Sequence, residues 1–250
     1  MSPPSQLRTV AELRACVSAI GKPRPSRVTL PFGVADVDAR LAGGGLAGDA
    51  LHEIAARSAG LADDAAATLF LAGVAARTMG TVLWALVRFD LYAPGLEQVG
   101  LGPDRVLYHQ ARDDVGVLAA MEEALRHGSL GAVIGEVKRA DMTASRRLQL
   151  AAADSGVPAF LMRRWRKSDV CPLTENSAAT TRWRIGSAPS PPLRVPGVGR
   201  SRWAVDLVRQ RNGNPFSMIV EACDAEGRIA LPAAAADRAA AQDGAAARAA

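Results

Sequence analysis

The chain has 250 residues and a mass of 26.1 kDa, enough for one substantial domain with its own hydrophobic core. Apolar residues make up 49% of the sequence, which excludes a wholly disordered chain and suits a globular α/β protein. The formal net charge of +5 permits contact with nucleic acid or an acidic partner but does not establish it. Of the 30 basic residues, 27 are arginine, a bias that is typical of genome composition.

The N-terminal residues 1–27 are predicted to form a helix followed by a basic, proline-rich linker. Apolar residues recur at helical spacing from Leu7 to Ile20, and the segment from Gly21 to Arg27 then breaks the pattern. Residues 28–223 are predicted to form the folded domain. The alanine-rich residues 224–250 are predicted to be a mostly disordered tail.

Predicted strands and helices alternate through the centre of the chain. The strands are 51–55, 81–87, 106–109, 131–137 and 159–162, and the helices are 63–79, 113–127 and 145–153. The helix at 113–127 has the clearest signals, because Gly128 is positioned to end it and Asp113-Asp114 is better interpreted as an N-cap than as a catalytic pair. Strands separated by helices predict parallel βαβ units with helices on both faces of one sheet.

After about Asp169 the pattern changes. Residues 179–185 alternate between polar and apolar, and residues 203–211 and 216–222 flank Asn212-Gly-Asn-Pro, a turn signal. This pattern predicts a β-hairpin.

The turn after the first strand lacks the residues of a phosphate-binding loop. Such a loop brings glycines and then Lys-Ser/Thr to a helix N-terminus, but no lysine occurs between Lys22 and Lys138. The residues in this region are Arg57, Gly60, Asp63 and Asp64. The two carboxylates favour the helix N-terminus but would repel nucleotide phosphates. The sequence therefore predicts a nucleotide-binding fold that has lost its nucleotide site.

Several short sequence blocks occur in order between about Leu30 and Glu221. They are Leu30-Pro-Phe-Gly-Val, Gly43-Gly-Gly-Leu, Asp90-Leu-Tyr-Ala-Pro-Gly-Leu, Met121-Glu-Glu-Ala-Leu-Arg, Gly135-Glu-Val, Thr143-Ala-Ser-Arg-Arg-Leu, Thr181-Arg-Trp-Arg and Gly199-Arg-Ser-Arg-Trp. Together with the order of elements, they resemble the RecA-type ATPase core and, more specifically, the ImuA family of bacterial damage-inducible mutagenesis accessory proteins. The resemblance implies an α/β fold with a RecA-like, mainly parallel β-sheet flanked by helices and a C-terminal hairpin extension.

The same resemblance implies a non-catalytic protein with no cofactor. Where an active RecA-type ATPase would end the strand at 131–137 with a metal-organising Asp, this chain has Gly135, with Glu136 as the one substitute. The family implies assembly with an ImuB-type relative of Y-family polymerases in SOS-induced translesion synthesis. An error-prone replicative-type polymerase and RecA are further candidate partners, and contact with DNA is expected to be weak or indirect.

Two groups of basic residues are candidates for contact with a partner or with DNA. The first group is Arg163, Arg164, Trp165, Arg166 and Lys167, and the second is Arg209 and Arg211. The first follows a predicted strand, where RecA-like folds carry mobile loops, and arginines beside an aromatic side chain suit stacking and phosphate contact. A solvated loop has the same appearance in sequence. The second group lies on the hairpin, where RecA-like proteins carry basic residues that reach a neighbouring protomer.

Two other functions fit the same pattern. One is a degenerate but active ATPase in which an atypical loop at Gly60 still binds ATP. The other is a RecA-fold inhibitor of a different target, such as cell division.

The cysteines and the apolar runs indicate the cellular compartment of the protein. Cys16, Cys171 and Cys223 are too far apart for a zinc spacing or a disulfide framework. No signal-peptide core is present near the N-terminus, and the longest apolar run is short of the roughly 20 residues that cross a bilayer. The sequence predicts a soluble, cytoplasmic protein without membrane contact.

Overall fold

The computed structural model describes residues 29–165, 170–190, 197 and 199–232. The predicted N-terminal helix and linker at 1–27 lie outside the described residues, as do the last 18 residues of the predicted tail.

An eight-stranded, mainly parallel β-sheet forms the centre of the described chain. Its strand order is β10-β9-β8-β3-β7-β6-β4-β5. The strands are β3 (Leu51–Ala56), β4 (Val82–Leu86), β5 (Val106–Gln110), β6 (Ala132–Val137), β7 (Ala159–Arg163), β8 (Thr181–Ala188), β9 (Arg202–Gln210) and β10 (Phe216–Glu221). The six strands from β8 to β5 run parallel, and β8, β9 and β10 pair antiparallel. A separate two-stranded ribbon joins β1 (Thr29–Leu30) to β2 (Leu46–Ala47).

Helices cover both faces of this sheet. They are α1 (Ala35–Asp38), α2 (Leu61–Ala76), α3 (Ala93–Gln98), α4 (Asp114–His127) and α5 (Met142–Ser155). Phe70 of α2 packs with Trp84 and Trp183 in the core of one face, and Met121 of α4 packs with Leu161 in the core of the other. The predicted α/β fold, with helices on both faces and a C-terminal hairpin, is confirmed.

Local signals in the sequence set the ends of α4 and α5. The side chain of Asp113 accepts a hydrogen bond from the backbone N–H of Gly116 at 2.8 Å, so the N-cap prediction is confirmed. Gly128 ends α4 in the left-handed region at φ 72°. Helix α5 begins three residues before the predicted start because Asp141 caps it, accepting a hydrogen bond from Ala144 at 2.7 Å.

The sequence did not predict every element. Helix α3 is only six residues long and contains Pro94 and Gly95, so its pattern is too short to show helical spacing. Strands β1 and β2 have two residues each. Helix α2 ends at Ala76 rather than at the predicted Met79.

Candidate functional site

The turn between β3 and α2 is held in place by side chains of the chain itself. The hydroxyl of Ser58 donates to the Asp63 carboxylate at 2.6 Å and accepts a hydrogen bond from the N–H of Gly60 at 3.2 Å. The other carboxylate oxygen of Asp63 accepts from the N–H of Ser187 at 2.8 Å, at the end of β8. The positive end of the α2 macrodipole is therefore met by carboxylates from its own first turn.

Arg164 joins this turn to strand β6. Its guanidinium forms an ion pair with Asp64 in the first turn of α2. It also bonds to Glu136 on β6, through Nε at 2.9 Å and Nη2 at 2.7 Å. The Arg164 side chain is only 17% exposed. One largely buried cation thus lies between the N-terminus of α2 and the carboxyl end of β6.

The Glu136 carboxylate has a further partner in the core. The indole N–H of Trp84 donates to it at 2.7 Å. Burial raises the pKa of Glu136, while the charge of Arg164 and the hydrogen bonds from Arg164 and Trp84 oppose that rise. For Arg164, burial lowers the pKa, but the two carboxylates outweigh it and raise the pKa. The three charges form one mutually dependent cluster.

Gly135 does not belong to this cluster. Successive strand residues point to opposite faces, and Gly135 faces α4 while Glu136 faces α2. A Cβ atom at Gly135 would collide with the sulfur of Met121 and lie 3.1 Å from Cγ1 of Val117. Gly135 therefore permits the close approach of a helix, and its assignment to the degenerate position of a metal-organising Asp stays a prediction. Of that pair, Glu136 alone reaches the cluster.

Arg163 is fully buried, which corrects its interpretation as a surface residue. Its guanidinium pairs with Glu53 at 3.2 Å and also with Glu175. Arg182 pairs with the other oxygen of Glu53 at 2.7 Å. Arginine is seldom buried unless it is paired, and here the buried carboxylate of Glu53 pairs with both Arg163 and Arg182. The Arg163 side chain is therefore not available to DNA or to a partner.

Trp165 is half-buried and serves as an anchor for the chain after β7. It packs against the core and its indole N–H donates to the carbonyl of Ala56 at 2.9 Å. Arg166 and Lys167, the other two members of the predicted basic group, lie outside the described residues.

The remaining predicted site residues lie on the antiparallel side of the sheet. Arg57 extends toward Asp206 on β9, at 3.9 Å, and is 47% exposed. Arg209 is exposed, and its Nη1 donates to the carbonyl of Ser177 at 3.0 Å. Arg211 is exposed at the start of the hairpin loop. Arg209 lies on β9 and Arg211 directly follows it, so neither belongs to the cluster of Asp64, Arg164 and Glu136.

Sequence reasoning missed several residues that complete these networks. They are Glu53, Ser58, Trp84, Arg184, Asp206 and Ser187. Arg184 and Asp206 face each other across β8 and β9 at 3.1 Å. The one usable signal was the alternation of Arg182, Trp183 and Arg184, which indicates a strand with one charged and one apolar face.

Residues 29–165, 170–190 and 199–232 contain no group of three or more His, Cys, Asp or Glu side chains that could hold a metal ion. Within the same ranges, no helix has both the length and the apolar character needed to span a membrane.

Comparison with known proteins adds the following. No protein-family model matches the chain. It is 37% identical over 207 residues to Protein ImuA of Caulobacter vibrioides strain NA1000 / CB15N, a match that covers 78% of this chain and 84% of the relative. Protein ImuA of strain ATCC 19089 / CIP 103742 / CB 15 gives the same values.

Among solved structures, the crystal structure of the RadB recombinase is similar, with a TM-score of 0.58. The match covers 81% of this chain and 99% of the RadB chain at 15% sequence identity. At this sequence identity, the match is evidence for the fold alone. The predicted RecA-like fold is confirmed.

Proposed function

Because the chain belongs to the ImuA family, we propose that it acts in damage-inducible mutagenesis as a non-catalytic adaptor that works through protein contacts. Its expected partners are an ImuB-type relative of Y-family polymerases, an error-prone replicative-type polymerase and RecA. The family membership expected from the sequence is confirmed, and it supports a role in this mutagenesis system. The adaptor role and the partners are our proposal.

The observation that carries the proposal is the bridge from Asp64 through Arg164 to Glu136. In RecA-like folds, phosphates lie at the N-terminus of the helix after the first core strand, and a metal lies between them and a neighbouring strand end. Here the chain supplies both the cation and the anions at that place. Asp63 and Asp64 would repel a triphosphate, and no lysine lies on the turn between β3 and α2. These residues do not fit a bound nucleotide.

The first test is capture of partners by the purified full chain. An ImuB-type protein and RecA are each passed over the immobilised chain, with and without ATP and magnesium. The adaptor proposal predicts that at least one partner is retained equally under both conditions. Retention of neither partner, or retention only with ATP, would contradict it.

A thermal-shift experiment addresses the alternative of a degenerate ATPase. A ligand that binds only the folded state at about 100 times its Kd stabilises that state by about 2.7 kcal/mol. We expect no shift of Tm with millimolar ATP and magnesium. A saturable upward shift would show that Arg164 yields its place to phosphate, and the chain would then be a nucleotide-binding protein.

A further inference from the structure

A cleft opens where the first half of α2 lies over the ends of the antiparallel strands. Its walls come from α2, α3, the end of β8, the start of β9, and Ala222 and Cys223 after β10. Its volume is about 430 Å³, which lies within the usual range for ligand sites. We call it the α2–β9 cleft and define it by Ala65, Leu69, Gln98, Ser187, Arg202 and Cys223.

The floor of the cleft is apolar. Ala66, Val99 and Trp203 line it and are 4%, 5% and 3% exposed. Leu69, which is half-buried, adds an aliphatic wall beside them. An apolar side chain that enters the cleft would leave water for this surface, which is favourable in proportion to the apolar area covered.

The lining of the cleft contains two arginines and no aspartate or glutamate. The charge of Arg200 is balanced from outside the cleft, because its guanidinium lies 3.4 Å from Glu221 and 3.9 Å from Asp224. Arg202 is half-buried and, within the part of the chain that the structure describes, forms no ion pair and no side-chain hydrogen bond. Glu221 is its neighbour across β9 and β10, but that carboxylate pairs with Arg200 instead.

The other polar groups of the cleft supply no negative charge. Burial raises the pKa of Cys223 to about 12, so its thiol stays neutral. Ser187 and Gln98 are exposed on the rim and can donate hydrogen bonds. The carboxylate of Asp63 accepts from the N–H of Ser187 but does not line the cleft. Charge complementarity therefore selects an anion, with Arg202 as its unpaired counter-charge.

The shape of the rim favours part of a longer chain over a free small molecule. Ala62, Gln98 and Ser190 all lie on the rim and are exposed. A small ligand usually has about 70–90% of its surface buried in its pocket, which a rim this open does not provide. A peptide segment can place one side chain on the floor and pass over the rim with the rest.

We propose that the α2–β9 cleft binds a segment of a partner protein in which an aliphatic side chain has an aspartate or glutamate beside it. The aliphatic side chain rests on Ala66 and Val99, and the carboxylate pairs with Arg202. The inference rests on the proposed adaptor function and names a surface through which that function works.

The direct test uses three capped peptides of about eight residues, so that none carries a terminal charge. The first has a central leucine with an aspartate on each side, the second has asparagines in place of the aspartates, and the third has serine in place of the leucine. NMR titrations of the isotope-labelled full chain follow the backbone amides of α2, α3 and β9.

The first peptide is expected to bind saturably and to shift signals of Leu69 and Gln98, while the other two bind at least about tenfold more weakly. Equal binding of the asparagine peptide, or no saturable shift with the first peptide, would overturn the inference. Free 4-methylpentanoate carries the same two groups without a chain, and binding as tight as that of the first peptide would replace the peptide by a small acid.

Matched variants locate the site. Ala65→Glu places a carboxylate on the exposed side of α2 within the cleft and should weaken the first peptide about tenfold. Arg202→Gln should lower its affinity to that of the asparagine peptide. The control is Ala153→Glu, which makes the same charge change at an exposed alanine of α5 and should leave binding unaltered. An Arg202→Gln chain that still prefers the acidic peptide would contradict the proposal.

The partner-capture experiment separates this inference from the adaptor function. If the unaltered chain retains a partner and Ala65→Glu retains it as well as Ala153→Glu does, the cleft is not the docking surface while the adaptor function stands. If the unaltered chain retains neither partner, the adaptor function fails, and the peptide titrations alone decide whether the cleft binds an acidic segment.

Discussion

The carboxylate of Glu136 depends on two neighbours from different strands. Trp84 on β4 donates one hydrogen bond, and Arg164, directly after β7, supplies the opposite charge. Removing one member of a buried ion pair leaves the other uncompensated in a poorly solvated place, which costs more than the pair itself contributes. The stability of this end of the sheet should therefore respond strongly to Arg164.

Replacing Arg164 by alanine is expected to lower the free energy of unfolding by about 3 kcal/mol. We choose the low end of the range for buried pairs because Asp64 is 38% exposed and partly screened by water. Urea unfolding measures the change. Arg88→Ala is the control, since Arg88 is 84% exposed, and should change the value by less than about 0.5 kcal/mol. Equal stability of the two variants would contradict the bridge.

His52 gives the fold a dependence on pH. It is fully buried, with Nδ1 2.7 Å from the Thr181 hydroxyl and Nε2 2.8 Å from the Ala47 carbonyl. The Ala47 carbonyl can only accept, so Nε2 donates to it; in the neutral ring, Nδ1 then accepts a hydrogen bond from the Thr181 hydroxyl. Burial lowers the pKa of His52 from 6.5 to about 4.

Between pH 6.5 and 4, His52 is therefore protonated in the unfolded chain but remains neutral in the folded chain. The stabilisation is fully present above pH 6.5 and is lost as the pH falls toward 4, by about 3 kcal/mol in all at about 1.4 kcal/mol per pH unit. In urea unfolding across this pH window, the free energy of unfolding of the unaltered chain should fall more steeply with decreasing pH than that of His52→Gln, by about 1.4 kcal/mol per pH unit. The control His127→Gln, at an exposed histidine bonded to Ser129, should keep the unaltered slope.

At the level of elements, the distance between α4 and β6 is set by Gly135. The helix lies against the strand at the one residue without a side chain, with Met121 over it. Adding a methyl group there forces either the helix or the methionine to move.

Gly135→Ala is expected to destabilise the chain by about 1–3 kcal/mol. The matched control is Gly43→Ala, where a Cβ atom would meet nothing within 4 Å and the change should be small. Thermal unfolding of both variants measures the difference. Similar melting temperatures would mean that α4 adjusts without cost.

The hairpin turn between β9 and β10 depends on one residue in the left-handed region. Asn212 has φ 62°, a conformation that asparagine and glycine tolerate better than other residues. Asn212→Ala should cost about 1 kcal/mol of unfolding free energy, while Asn212→Gly should be nearly neutral. Chemical denaturation of the pair distinguishes a backbone effect from loss of the asparagine side chain, which would affect both variants alike.

How far the sequence predicts these elements depends on where each signal lies. The ends of α4 follow from Asp113 and Gly128, two local signals, and the hairpin follows from its turn residues. The bridge at Arg164 does not, because its two carboxylates lie 100 and 28 residues away along the chain. Arg163 misleads for the same reason, since its partner Glu53 is 110 residues away. Only the strand order brings these groups together.

For the molecule as a whole, the two ends of the sheet offer different surfaces. Arg211 is exposed beside the hairpin turn, and Arg88 is exposed at the other end, after β4. We expect Arg211→Glu to weaken capture of a partner roughly 3- to 10-fold with unchanged circular dichroism. Arg88→Glu is the control of equal charge change. Arg209 is the poorer choice, because its reversal also removes the bond to Ser177. Equal capture by both variants would remove Arg211 from the interface.

The bridge at Arg164 also bears on how such a protein is switched on. A cation covalently part of the chain cannot be diluted, exchanged or consumed, so its occupancy of the space between Asp64 and Glu136 is the same whatever the supply of small molecules. Under the proposed non-catalytic function, no nucleotide hydrolysis would time the release of a partner. Its activity in the cell would follow how many copies are made and how soon they are destroyed.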